Sequence, residues 1–456
     1  MRGGAKHRPG EASISRRKQV QKDWWERIFG LHSAGSSVRT ELIAGATTFV
    51  TMAYIIFVNP TILADAGMPF NAVLAATCIS AAVASLVMGL YANYPIALAP
   101  GMGINAYFTY SVVKGLGLSW QTALGAVFIS GVIFILLTIV RVRQLILNSI
   151  PTTIHASVAA GIGLFIAFLG LRNGGFVIGN KETFVTIGKL TEPATILAAL
   201  GLIITGALIA RRIRGAILIG ILITTVAAIV LKLAPLPTGI VQWPELSTTF
   251  AKLDVRGALA RGVFDIIFIF LFVDLFDNVG TLVAVSKQAG FLNERGELPR
   301  ADRVLLADGV GTVVGAICGT STVVSYIESA AGVSEGGRTG LTAVTVAALF
   351  ALALFFAPLI GVVPALATAP ALIVVGSLMM LSIRHIDWSD AAQALPAFLT
   401  MIAIPFTFSI TNGLALGFIS YPLMMALSGR ARQVGWLVYL LALLFILRYA
   451  YLGSAG

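Results

Sequence analysis

The chain has 456 residues, 57% of them hydrophobic and only 11% charged, with a mean hydropathy of +0.92. This composition excludes a soluble globular enzyme and points to a polytopic membrane protein. The net charge of +11 would suggest nucleic acid in a soluble chain, but here it bears on membrane topology and no nucleic-acid partner is expected. Cys78 and Cys318 sit in apolar runs, and the four histidines (His7, His32, His155, His385) lack metal-ligand spacing. No disulfide framework, metal or cofactor is expected, and no phosphate loop or nucleophile elbow occurs.

Residues 1–40 are polar and basic, without the apolar core and cleavage site of a signal peptide. They read as a cytoplasmic tail in which DWWERIF (23–29) forms an interfacial helix, with Trp24 and Trp25 at headgroup depth. Apolar segments follow at about 42–63, 72–91, 120–140, 152–171, 194–210, 215–232, 260–286, 303–318, 340–357, 364–383, 396–410 and 412–428. Two shorter glycine-rich pieces, 101–114 and 322–334, fall short of the ~20 residues of a full helical span. Each follows an extended-looking stretch, 95–100 (PIALAP) and 316–321 (AICGTS), and reads as a discontinuous crossing, part irregular chain and part half-helix. Pro60 marks a kink in the first span. The last run, 436–452, is either a further span or an interfacial helix.

The cations test the count of fourteen crossings. With the tail inside, 22 Lys and Arg lie on the cytoplasmic side and 8 opposite, a positive-inside bias that survives only if both short pieces cross. Similarities between 150–171 and 363–383, between 214–225 and 412–423, and between 61–67 and 281–290 suggest two repeats of seven spans. An odd number inverts the second copy, the architecture of secondary transporters whose site lies at the midplane between broken helices.

Intramembrane acids default to functional hypotheses. In 264–290, Asp274 and Asp277 share a helical face. Asp265 reads as peripheral, whereas Asp274 is open between the site, a group behind it and a partner for a neighbour. In CGTSTVVSYIESAAG (318–332), Glu328 is expected mid-way along a half-helix that begins near Thr320, Ser321 and Thr322. In APGMGINAYF (99–108), Gly101 and Gly103 let backbone approach a ligand, and Asn105 offers an amide. Asp277, Glu328 and Asn105 would surround one small, flat ligand with N–H donors and ring-nitrogen acceptors. Asp308 reads as a group behind the site or on a proton path, and Asn105 could instead join helices.

At these residues the chain becomes recognisable. ELIAGATTFVTMAYIIFVNPTIL (41–63), APGMGINAYFTY (99–110), FVDLFDNVGTLVAVSKQAG (272–290) and GTSTVVSYIESAAGVSEGGRTGLTAV (319–344) closely resemble the AzgA-like purine permeases of the nucleobase–cation symporter-2 (nucleobase–ascorbate transporter) superfamily. The resemblance covers about residues 38–430. It implies an all-α membrane protein of fourteen spans in 7+7 inverted repeats, with short strands and half-helices in spans 3 and 10. It also implies a core domain over 41–145 and 259–360 and a gate domain over 146–258 and 361–430, after the tail (1–40) and before the C-terminal segment (431–456). By resemblance, Asp277 and Glu328 bind the base, with Thr281 one turn on and Tyr326 alongside. Asp274, Asp308 or Glu328 would serve proton coupling or support the site. Relatives of the uracil type often carry His at the position of Thr281 and Glu at that of Asp277, a departure consistent with the purine branch.

The expected function is therefore not enzymatic: proton-coupled import of purine bases (adenine, guanine or hypoxanthine) across the cell membrane by alternating access. Its partners are a purine base, protons and the lipid bilayer, with a homodimer left open. The competing reading is an anion transporter of the sulfate-permease type, against which two facing carboxylates argue.

Overall fold

A computed structural model describes residues 24–140, 151–260, 264–293 and 298–452. The first 23 residues, Arg141, Arg143, Arg261, Arg295 and the side chain of Asp265 lie outside the described residues. Among the described residues nine helices are long and apolar enough to cross a membrane, and shorter apolar helices accompany them.

Segments 1 and 2 are Val38–Ala64 and Phe70–Ala92. Segment 3 joins strand β1 (Leu98–Pro100) to the helix Met102–Ala106 and its wider-wound continuation Tyr107–Gly115. Segments 4 to 7 are Trp120–Ile139, Thr152–Asn173, Pro193–Ala210 and Ala216–Val230, with the hairpin β2 (Val177–Asn180) and β3 (Phe184–Ile187) after segment 5. Segments 8 and 9 are Phe264–Ala289 and Ala301–Cys318. Segment 10 joins strand β4 (Val323–Ser325) to the short helix Ser329–Ser334. Segments 11 to 14 are Gly340–Ile360, Ala365–His385, Ala391–Thr407 and Ile410–Leu427. Ser37, Ser119, Asp390 and Ser409 cap segments 1, 4, 13 and 14 by accepting from early backbone N–H groups.

β1 and β4 pair antiparallel, with Leu98 opposite Ser325 and Pro100 opposite Val323. Two equivalent pieces meeting antiparallel is the geometry an inverted repeat requires. Backbone that leaves the helix at this depth needs other hydrogen-bond partners. Ser85 Oγ on segment 2 accepts from Leu98 N (3.0 Å) and donates to Leu98 O (3.2 Å). Thr312 Oγ1 on segment 9 does the same for Val323, at 3.2 and 3.1 Å. The matching hydroxyls of the two halves thus do matching work.

The second half-helix differs from expectation. Segment 9 stays helical to Cys318, where the sequence suggested extended chain, and ends at Gly319 with φ +105°. Thr320–Thr322 start no helix: the β-branched Val323 and Val324 that follow pair with β1, and the helix begins only at Ser329. Glu328 is therefore its N-cap rather than a mid-helix residue. Segment 1 also breaks earlier than expected, at Ala53–Tyr54, while Pro60 lies inside the helix Ile55–Ala64.

Segment 5 packs on 12, 13 and 14, and segments 6, 7 and 12 on one another; segment 2 packs on 9 and 11, segment 4 on 8 and 9, and segment 1 on 11. Glu41, at the start of segment 1, accepts from the N–H groups of Arg338 (2.9 Å) and Thr339 (3.2 Å), while Asp65, just past its end, accepts from Tyr110 (2.5 Å) on segment 3. The stretch before segment 11 and the later part of segment 3 therefore lie at opposite ends of segment 1, as the crossing of both short pieces requires. The helix over 24–29 rests partly on the protein: Trp25 stacks on Phe29 at 5.9 Å above Leu341, and Trp24 stays exposed. The final helix, Trp436–Leu452, aligns Phe445 with Phe418 and Tyr449 with Asn412, so it runs antiparallel along segment 14.

Candidate functional site

The site forms where the β1–β4 pair meets segments 1 and 8. Helical continuity of segment 8 carries Asp277 to this level, and the strand-to-helix turn of segment 10 brings Glu328. Both side chains are partly exposed within an otherwise buried neighbourhood. Asp277 lies at the start of the first half-helix: a Cβ on Gly101 would stand 3.7 Å from its Oδ2 and 2.9 Å from Val324 Cγ2. Glycine at 101 is thus what lets the three elements close up. Tyr54, Tyr326 and Glu328 all lie in the neighbourhood of Asp277. Glu328 accepts from the hydroxyl of Tyr54 through Oε1 at 2.5 Å. Thr281 stands one turn beyond Asp277 on the same helix and is partly exposed. Two carboxylates in this setting can accept from N–H groups of a ligand, hold a proton, or repel an anion.

The remaining sequence-derived residues brace the site. Tyr326 is nearly buried, and its hydroxyl donates to Pro100 O at 2.6 Å, clasping segment 10 to segment 3. Asn105 is fully buried; Ser321 donates to its Oδ1, and its Nδ2 has no partner among the described residues. Gly101 N–H is engaged by Thr322 O at 3.0 Å, and Thr320 accepts from Asn59 at 2.8 Å. Gly103 allows a close approach to segment 5, since a Cβ there would meet Ile162 Cγ2 at 2.6 Å.

Asp274 and Asp308 are both buried and meet on Asn278. The Asn278 amide donates to Asp308 Oδ2 (2.5 Å) and Asp274 Oδ1 (2.8 Å), and its oxygen accepts from Ser325 N (2.8 Å). This amide ties segments 8 and 9 to β4, next to the site. The sequence reading passed over both Asn278 and Tyr54. Asn278 carried a signal, an Asp at i−4 on a membrane helix; Tyr54 carried none, because only the break in segment 1 turns it inward.

The model of the permease family matches residues 39–416. The adenine permease AdeP of Escherichia coli is 46% identical, over 94% of this chain and 96% of its own. The guanine/hypoxanthine permease PbuG of Bacillus subtilis is 45% identical, over 93% of this chain and 99% of its own. Among solved structures, the transmembrane domain of the cyanobacterial bicarbonate transporter BicA superposes with a TM-score of 0.62 at 15% identity, over 83% of this chain and 97% of that one. At that identity the likeness is one of fold, the 7+7 architecture.

Proposed function

The chain belongs to the permease family, and on that premise we propose that it imports purine nucleobases across the cytoplasmic membrane by proton symport, with its N-terminus inside. The observation that carries this reading is the pair of partly exposed carboxylates, Asp277 and Glu328, converging beside the β1–β4 crossing. A purine presents several N–H donors around a flat ring, and a carboxylate is the natural acceptor for them. The names of the relatives, adenine permease and guanine/hypoxanthine permease, agree with that chemistry. They divide over which purine is carried, so the class is proposed and not the member.

In this reading segments 1–4 and 8–11 form the core that holds the base, and segments 5–7 and 12–14 form the gate against which it moves. The tight contact of Gly103 with Ile162 would lie on that sliding surface. A proton held by one carboxylate during loading and released once the site opens inward couples uptake to the proton gradient. The bicarbonate transporter shares the fold, yet an anion would meet two carboxylates here, which disfavours the anion reading. Uptake of radiolabelled adenine and hypoxanthine into proteoliposomes tests the proposal. It should saturate, accelerate with an inward proton gradient and resist excess sulfate. Uptake indifferent to the gradient would remove the coupling, and absence of purine uptake would remove the function.

A further inference from the structure

Tyr54 is the least explained group at the site. It is 1% exposed, sits where the chain breaks between Met52 and Ile55, and aims its hydroxyl across to Glu328 Oε1 at 2.5 Å. We propose that Tyr54 is a positioning residue that sets base specificity by holding Glu328 as a hydrogen-bond acceptor toward the substrate. The inference rests on the purine reading above and adds to it which kind of purine edge the site selects.

The argument is geometric. A phenol has one O–H, and burial of the ring fixes the direction in which it points. With that O–H given to Oε1, and with Asp277 rather than Glu328 carrying the proton during loading, the Glu328 carboxylate is engaged as an acceptor. No other side chain donates to Glu328 among the described residues, and the carboxylate is partly exposed, so it keeps acceptor capacity for a ligand. A base offering an N–H at this point completes a charge-assisted bond, whereas one offering a ring nitrogen sets two acceptors against each other. Without the hydroxyl, the carboxyl group can turn and serve either edge. Tyr54 also makes the selection sensitive to the break in segment 1, since the backbone there decides where the phenol points. Tyr326 does not duplicate the role, because its own O–H is committed to Pro100 O.

The test measures equilibrium affinity in purified full-length protein for bases that exchange donors and acceptors without changing shape. These are hypoxanthine against adenine, guanine against 2,6-diaminopurine, and hypoxanthine against its 3-, 7- and 9-deaza forms. Wild type should separate at least one pair by about 10-fold, the size of one hydrogen bond to a charged group. Tyr54→Phe, which keeps the ring, should bring that ratio within about 3-fold of unity, and Tyr54→His, which keeps a donor, should restore part of it. A merely structural role would weaken all bases alike and leave every ratio unchanged; ratios within twofold of wild type in Tyr54→Phe overturn the proposal. Should that variant fail to fold, Tyr54→Met supplies a second side chain without the hydroxyl, read in the same way. If wild type binds no purine at all, the purine reading fails rather than the role of Tyr54.

Discussion

Asn278→Ala is the most informative single change away from the ligand. The wild-type amide is fully buried and satisfies three groups at once, the two carboxylates of Asp274 and Asp308 and the N–H of Ser325. Alanine leaves the Ser325 N–H without that acceptor, at about 1–3 kcal/mol for a buried unsatisfied group. The two acidic side chains lose a shared donor, and a hydrogen bond to a charged group is worth about 1.5–3 kcal/mol. Allowing for non-additivity among neighbours, the total is on the order of 4 kcal/mol, a large share of the ~5–15 kcal/mol that holds a typical domain together. β4 should lose its anchor to segments 8 and 9, and with it the placement of Glu328. Melting of the detergent-purified protein should fall by several degrees, and purine affinity should drop by at least ~10-fold although the hydrogen bonds of the buried Asn278 go to protein groups. A variant that melts and binds as wild type would show that the amide does not position the strand, and the reasoning would be wrong.

Gly103→Ala should slow uptake several-fold, because the added methyl meets Ile162 at 2.6 Å; Ile162→Ala in the same chain should restore much of the rate, and failure of that rescue would locate the defect elsewhere. Arg214 and Glu335 pair across the bundle between the turn joining segments 6 and 7 and the end of segment 10, with Arg214 largely exposed. Arg214→Ala should therefore change stability by less than ~1 kcal/mol in thermal melts, and a larger loss would mean the pair is better shielded than its exposure implies. The Arg430 guanidinium, and then the Gln393 amide, hold the Asp390 carboxyl well below the usual carboxylate range. A depressed carboxylate contributes stability above its unfolded value and loses it as pH falls through the folded one. Its contribution is thus complete at neutral pH and should fade only below about pH 4. Melting temperature followed from pH 7 to 3 should fall less steeply in Asp390→Asn than in wild type, and parallel curves would contradict the linkage.

Much of this was legible in the chain because a bilayer imposes hard rules. Apolar length located the helices, and the cation bias required the two short pieces to cross, as the opposite placement of Glu41 and Asp65 along segment 1 agrees. The costly acids pointed to the region of Asp277 and Glu328. What escaped were features set by partners distant in sequence. Val323–Ser325 reads as well for a half-helix as for a strand until β1 is beside it to supply the ladder. Asp274 and Asp308, on different helices in segments 8 and 9, could not be read as one cluster without the amide between them. Asn105 reads as a ligand because amides suit bases; its burial and the engagement of its oxygen by Ser321 depend on segment 10 lying beside it, which the sequence does not display. Tyr54 could not be found at all, since residues on the face of a broken helix follow the break and not the period.

The central claim, that Asp277 and Glu328 together hold a purine, is tested most directly by equilibrium binding of radiolabelled adenine and hypoxanthine to the purified protein. Wild type should show saturable binding displaced by purines and not by sulfate. Asp277→Asn and Glu328→Gln should each abolish it while melting as folded protein. Unchanged affinity in both variants would contradict the account and move the site elsewhere in the fold.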